Sequence, residues 1–283
     1  MVRQSSIDKY EREVREGLQE LFNLCRYNMV HSGDLLLCQQ NGFIFSDQAC
    51  VGLGDEGLNS TQTINSISFK GIGGVTNDDN YFAVHGNTFL KGISDFEKEI
   101  QEQKNTYLNI WENGFFIRVF TQVVNVLNSC DYDWYLDISK LPPNGKSKHL
   151  REQIIQRLDA SPKFQQIVRN TYIGQIRNAI AHSQYHCVQG GIIYDNYKSD
   201  KYATLQGLSF DDWERIYCYS FFIFIGIFQT LRQIKDQLYL PASKESLTKG
   251  IPVKVPDKEN GWYQTVLFPN EKGDMWRFIQ TVN

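Results

Sequence analysis

The segment from Ile216 to Leu231 constrains the fold most, because it is apolar on almost every side. Its centre reads Phe221-Phe222-Ile223-Phe224-Ile225-Gly226-Ile227-Phe228. A helix that spans a bilayer needs about 20 apolar residues, so this run is too short to cross a membrane. A helix that is apolar all round is buried on both sides. The segment therefore predicts a central helix of a bundle, and a dimer interface is a second way to bury it.

Periodic apolar residues and capping patterns predict further helices around this one. Ser209 precedes the apolar helix as its N-cap and predicts a helix to about Leu240. Ser94 and Ser161-Pro162 are typical helix starts in the same way. The predicted helices are 5–29, 94–112, 115–127, 147–160, 162–185 and 209–240.

Strands are expected in three places where Gly, Asn, Ser and Thr separate short apolar runs. In residues 31–93 the runs are Leu35–Leu37, Phe43–Phe45, Ile64–Phe69 and Tyr81–Val84. Hairpins are expected near residues 190–205 and, across Asn260-Gly261, over residues 252–267. The expected fold class is mainly α, a helical bundle with β-hairpin insertions or appendages, and α+β overall.

The chain divides into four predicted segments. Residues 1–30 form an N-terminal helix that packs on the bundle, and 31–93 form a β-rich subdomain or insertion, which the sequence leaves open. Residues 94–240 form the helical domain, with the motif helix at 162–185. Residues 241–283 form a C-terminal hairpin appendage.

Charge is balanced overall but not locally. The formal net charge is −3, so the whole molecule does not attract nucleic acid. Residues 140–169 carry seven Lys and Arg against two acids. Lys146, Lys148 and Arg151 in that segment are candidate RNA-binding residues. The same charges also fit the solvated faces of two helices, and the sequence does not decide between these interpretations.

The cysteines favour free thiols in the cytoplasm. Six cysteines are scattered without a Cys-x-x-Cys pair, and the N-terminus opens a polar helix rather than a signal peptide. His182, His186 and Cys187 have the residue types of a zinc site, but no second cluster supplies the remaining ligands. We therefore predict no metal and no cofactor.

Arg177-Asn178-Ala179-Ile180-Ala181-His182 is the most informative motif. At about 100° of rotation per residue, one arc of the predicted helix carries Tyr172, Ile173, Ile176, Ile180 and Ser183. That apolar arc predicts the core face. Arg177, Asn178 and His182 fall on the opposite side, so we expect them to face solvent or a partner.

The motif resembles the Arg-x4–6-His signature of the HEPN superfamily, in which a polar residue, commonly Asn, follows the arginine. The resemblance covers about residues 95–240, including the helix after the motif. It implies a HEPN-like helical bundle and a metal-independent endoribonuclease whose motifs from two protomers share one cleft. It also implies a toxin or an effector of antiviral defence, including abortive infection.

The chemistry of these side chains agrees with that expectation. Metal-free RNA cleavage needs a base for the 2′-hydroxyl, an acid for the 5′-oxygen and positive charge at the phosphate. Imidazole transfers protons near neutral pH, and a guanidinium grips phosphate oxygens in pairs. We expect Arg177, Asn178 and His182 to be catalytic and the products to be a 2′,3′-cyclic phosphate and a 5′-hydroxyl. Tyr185 and His186 are further candidate RNA contacts. The resemblance also implies that Tyr185, three residues after His182, is a candidate acceptor of a nucleotidyl group, since some HEPN toxins are silenced on a tyrosine close to the motif.

The alternative is a non-catalytic HEPN module that binds a nucleotide, RNA or a protein through the same face. The expected partners are RNA (tRNA or mRNA), a second copy of the chain, and a cognate antitoxin, sensor or activator protein. No membrane partner is expected.

Overall fold

The computed structural model describes residues 2–44, 51–53, 72, 74–81, 95–142, 144–199, 203–257, 261–271, 273 and 275–278. Of these residues, 59% are helical and 16% lie in strands. The predicted fold class, mainly α and α+β overall, is therefore confirmed. No helix of the described part is long and apolar enough to cross a membrane.

The helices follow the chain in this order: α1 Gln4–Asn28, α2 Asp34–Gln40, α3 Asp95–Glu112, α4 Gly114–Leu127, α5 Gly145–His149, α6 Pro162–Thr171, α7 Gly174–Ala181, α8 Phe210–Ile234 and α9 Leu240–Glu245. Helix α5 continues through a π-helical turn, Leu150–Ile155, and a 3-10 turn, Gln156–Leu158. A second π-helical turn, Lys235–Tyr239, joins α8 to α9.

The strands are β1 Val2–Arg3, β2 Phe43–Ile44, β3 Val51–Gly52, β4 Val75–Thr76, β5 Tyr185–Val188, β6 Gly191–Tyr194, β7 Gly207–Ser209, β8 Ile251–Asp257, β9 Gly261–Pro269 and β10 Trp276–Phe278. They form small sheets in the orders β1-β4, β2-β3, β5-β6-β7 and β10-β9-β8. The β1-β4 pair is parallel, and the other described pairs are antiparallel.

The chain forms two compact units. The first contains residues 1–17, 64–113 and 162–226, and the second contains residues 18–63, 114–161 and 227–283. The motif and its ion-pair partner Glu112 belong to the first unit.

The core of the first unit is aromatic and joins α3 to α8. The indole of Trp111 donates to Ser220 Oγ at 2.9 Å, and the indole of Trp213 donates to Gln103 Oε1 at 2.9 Å. Tyr10 of α1 meets Tyr219 of α8 edge to face, with ring centroids 4.9 Å apart. This ring pair is a contact between α1 and α8. These contacts fix α3, the helix that faces the motif.

The predicted apolar helix is confirmed, and so is its cap. The backbone N–H of Asp212 donates to Ser209 Oγ at 3.1 Å, which satisfies one of the free amides at the start of α8. Ile216, Ile223 and Ile227 are buried. Phe222 and Ile225 are half-buried, so the helix is not covered on every side.

Two predicted elements are wrong in type or extent. Leu35–Leu37 was expected in a strand but lies in α2, where all three residues are buried and show no alternation that separates helix from strand. The helix expected over 162–185 is two helices that end at Thr171 and Ala181. Ser183 has φ 53°, a left-handed conformation that stops α7.

The hairpin expected over residues 252–267 is present, with residues 252–257 in β8 and 261–267 in β9, and the sequence missed the third strand, β10. The hairpin expected near residues 190–205 is wrong in its second strand, because β6 pairs with β7 and residues 203–205 lie in no strand. Gly190 turns the chain with φ 82°, and β6 pairs on both sides, with β5 and β7. The predicted strand Ile64–Phe69, residues 82–84 and the Ser94 cap lie outside the described residues.

Candidate active site around the Arg-His motif

A break between α6 and α7 sets the direction of the motif helix. The hydroxyl of Tyr107 on α3 donates to the carbonyl of Thr171 at 3.2 Å and accepts from the N–H of Ile173 at 3.2 Å. One buried phenol therefore replaces two backbone hydrogen bonds that a continuous helix would supply. Burial raises the pKa of Tyr107, which keeps the hydroxyl protonated.

The core face of α7 is close to the predicted one. Ile176 and Ile180 are buried, as is Tyr172 before the helix. Ile173 is only half-buried, because it lies in the break after α6. Ser183 is exposed, because α7 ends before it. The predicted core face is therefore correct at Tyr172, Ile176 and Ile180, only partly correct at Ile173 and wrong at Ser183.

Gln175 anchors α7 to the segment after β6. Its amide donates to the carbonyl of Leu205 at 2.7 Å and accepts from the N–H of Leu205 at 2.9 Å. Asn196 forms two further hydrogen bonds: its amide oxygen accepts from the Gln175 side chain, and its amide nitrogen donates to the Gln175 carbonyl. The start of the motif helix is thus held by a side chain that the sequence did not single out.

Arg177 is held in an ion pair with Glu112, the last residue of α3. Glu112 Oε1 accepts hydrogen bonds from Nε and Nη2 of Arg177, whose side chain is 15% exposed. Arg177 Nη1 donates to Asn178 Oδ1 at 2.7 Å. The guanidinium is therefore oriented at a partly open edge, with its charge balanced by a carboxylate.

Glu112 was not predicted from the sequence. It lies 65 residues before Arg177, and an isolated acid at the end of a predicted helix carries no motif. The described side-chain hydrogen bond of Asn178 is to Arg177. The polar residue after the arginine thus supports the cation.

His182 is the first residue beyond α7 and is exposed. Its backbone N–H donates to the carbonyl of Asn178 at 3.1 Å. Within the described part of the chain its side chain forms no hydrogen bond. Both ring nitrogens are therefore open to a substrate or to a partner chain.

Tyr185 and His186 lie on β5, not on the motif helix. The Tyr185 hydroxyl donates to Gln101 Oε1 at 2.6 Å, and Lys104 Nζ lies 3.8 Å from the centre of its ring. His186 Nδ1 lies 3.0 Å from Asp195 Oδ1, and both side chains are half-exposed. The Asp195 carboxylate thus orients the imidazole of His186 and leaves Nε2 open.

The candidate RNA contacts Lys146, Lys148 and Arg151 belong to the second unit. Lys148 Nζ lies 4.0 Å from Glu152 Oε2. Arg157, in the same basic segment, donates to Asn125 Oδ1 at 2.8 Å and has a structural role. Part of the local positive charge is therefore already paired.

No group of three or more His, Cys, Asp or Glu in the described residues is arranged to hold a metal ion. Comparison with protein-family models, with curated protein sequences and with solved structures gives no match for this chain.

Proposed function

We propose that the chain is a metal-independent HEPN endoribonuclease that cleaves RNA to 2′,3′-cyclic phosphate and 5′-hydroxyl ends. The observation that carries the proposal is the exposed imidazole of His182 directly after a helix whose Arg177 and Asn178 are already oriented together. An imidazole for proton transfer and a guanidinium for the phosphate are the groups that this reaction requires.

In this mechanism Arg177 binds the scissile phosphate and His182 transfers a proton. A phosphate oxygen takes the place of the Glu112 carboxylate at the Nε and Nη2 edge of the guanidinium, because carboxylate and phosphate accept from the same donors. The hydrogen bond from Arg177 Nη1 to Asn178 Oδ1 holds the guanidinium in its orientation. The cation is thus positioned before substrate arrives, so the arginine side chain loses little conformational freedom when the phosphate binds.

A homodimer supplies the second proton-transfer group. With one histidine per motif, the same imidazole would have to serve as base and as acid in turn, whereas a second protomer contributes another His182 and divides the two roles. The half-buried Phe222 and Ile225 of α8 give the fold an apolar surface for such a contact. The biology that we propose is cytoplasmic, a toxin or antiviral-defence effector that acts on tRNA or mRNA and is controlled by an antitoxin, sensor or activator protein.

The test is cleavage of a tRNA pool and of total RNA in EDTA by wild type, His182→Ala, Arg177→Ala and the matched control His31→Ala. We expect cleavage by wild type and the control, loss of at least 100-fold in both motif variants, and cyclic phosphate termini. Cleavage that persists in His182→Ala, or that requires a divalent metal, would contradict the proposal. Sedimentation of the same samples measures the expected dimer.

The alternative is a non-catalytic module that binds a nucleotide, RNA or a protein at the same face. The ion pair between Arg177 and Glu112 favours it, because a guanidinium held by a carboxylate supplies less charge to a transition state but keeps N–H donors that can anchor a ligand. RNA binding by wild type, weakened in Arg177→Ala and without any cleavage, would select this function.

A further inference from the structure

A buried lysine of α3 contacts a cysteine of β5 beside the motif. Lys104 is 2% exposed, and its Nζ lies 3.5 Å from Cys187 Sγ. The same ammonium lies over the Tyr185 ring. Lysine is almost never this deeply buried unless it is paired with an acid. In the described residues no carboxylate forms an ion pair with Lys104.

Burial shifts the pKa values of both groups in the direction of their neutral forms. Burial lowers the pKa of Lys104, while Cys187 and Glu97 act in the opposite direction. Burial also raises the pKa of the Cys187 thiol, and the charge of Lys104 opposes that rise. A neutral amine has a free electron pair and is a nucleophile. The amine also lies close enough to the thiol to take its proton.

We propose that Cys187 and Lys104 are a modification site, at which a hydroperoxide oxidant forms a reversible sulfur–nitrogen cross-link. Hydrogen peroxide first converts the Cys187 thiol to a sulfenic acid and releases one water. The Lys104 nitrogen then attacks the sulfur, the S–N bond forms, and the S–O bond breaks. The oxygen leaves as a second water with the amine proton. Sulfur and nitrogen each lose one hydrogen, and peroxide is reduced to two waters.

Geometry supports this step. Cys187 is only partly buried, unlike the buried Cys25, Cys38 and Cys218, which makes it more open to a molecule as small as peroxide than they are. The amine is already in contact, which makes the second step intramolecular and fast. The product ties α3 covalently to β5, the strand that begins three residues after His182. A dithiol reductant reverses it, because the reductant takes the nitrogen's place at sulfur and releases the amine. The proposal does not depend on the proposed ribonuclease activity.

The test is peptide mapping by mass spectrometry of the full chain after treatment with hydrogen peroxide, alkylation of free thiols and digestion with a protease that does not cut at lysine. We expect one linked species that joins the Lys104 and Cys187 peptides, two hydrogens lighter than their sum. Dithiothreitol should restore both peptides.

Three variants sharpen the result. Lys104→Met keeps the buried volume and should leave Cys187 oxidised to sulfenic and sulfinic acid without a link. Cys187→Ser should abolish the link, and Cys130→Ser, a change at another partly buried cysteine, should not affect it. The wild-type map is decisive even where a variant fails to fold. Cys187 recovered as sulfinic acid with Lys104 unmodified, or as free thiol at peroxide concentrations that oxidise Cys130, would overturn the proposal.

Discussion

Glu112 competes with any phosphate for the guanidinium of Arg177. If RNA binds by displacing this carboxylate, Glu112→Gln should strengthen RNA binding, because an amide holds the cation less tightly than a charged group. We expect an increase of about 3- to 10-fold in affinity, which is about 1 kcal/mol. Equilibrium binding of a non-cleavable RNA to the His182→Ala background measures it.

The matched control for that prediction is Glu102→Gln, which removes the same charge from an exposed position of the same helix. Equal gains in both variants would mean that only long-range charge matters. A loss of binding in Glu112→Gln would mean that the carboxylate positions Arg177 for the phosphate.

Asp34, at the start of α2, gives the second unit a pH-dependent contribution to stability. Its carboxylate accepts from the N–H of His31 at 2.8 Å, but burial raises its pKa to about 6. The folded state therefore binds the proton more tightly than the unfolded chain does. The stabilisation is complete below about pH 4 and is lost as pH rises through about 6, on the order of 3 kcal/mol in total.

Asp34→Asn should remove that dependence. We expect the difference in free energy of unfolding between wild type and variant to fall by about 2 to 3 kcal/mol from pH 4 to pH 7, measured by urea denaturation. The exposed Asp159→Asn should leave a constant difference over the same range. A constant difference for Asp34→Asn as well would show that the carboxyl titrates normally.

The break between α6 and α7 rests on one hydroxyl of another helix. Tyr107→Phe keeps the ring but leaves the carbonyl of Thr171 and the amide of Ile173 without their partner. We expect a loss of about 1 to 3 kcal/mol in the free energy of unfolding. If the break positions the motif, RNA cleavage should fall in the folded variant as well.

Helix α7 has a core side and an open side, and substitutions should separate them. Ile176→Ala should cost about 2 to 5 kcal/mol, because Ile176 is fully buried and the change leaves a cavity. Ile193→Ala in β6 is the control, since Ile193 is 36% exposed, and it should cost less than about 1 kcal/mol. Thermal or chemical denaturation measures both. Equal losses would contradict the described orientation of α7.

At the level of elements, hydrophobic periodicity predicted the helices whose bounds depend on local sequence. The bounds of α1, α4 and α8 were predicted within a few residues, because their apolar spacing and the Ser209 cap are local signals. The break at residues 172–173 was missed, since its cause is the Tyr107 hydroxyl from a distant helix. Leu35–Leu37 were misassigned because a fully buried run has no periodicity to read. Arg177, Asn178 and His182 are predicted from the motif, whereas the contacts of Glu112 and Gln175 are tertiary and no local pattern encodes them.

At the level of the whole molecule, attraction to RNA depends on where charge is concentrated, since the net charge is −3. Replacing Lys146, Lys148 and Arg151 with Ala should weaken RNA binding and lower its salt dependence. Each lost contact with a single strand reduces the slope of log affinity against log salt by about 0.7. We expect a reduction of about 1 to 2, measured by titration at several salt concentrations.

Lys9, Arg12 and Arg15, all exposed on α1, give the control triple variant with the same change in net charge. An equal effect of both triple variants would identify the basic segment as a solvated surface with no particular role.

The ion pair between Arg177 and Glu112 also has a consequence for biosynthesis. It joins positions 65 residues apart, so an emerging polypeptide has no assembled motif until residues well beyond α7 have left the ribosome. If the chain is a ribonuclease, translating ribosomes are surrounded by RNA while this arginine is still unrestrained. The time at which Arg177 pairs with Glu112 and the motif is assembled would then decide how long a new molecule stays harmless to the cell that makes it.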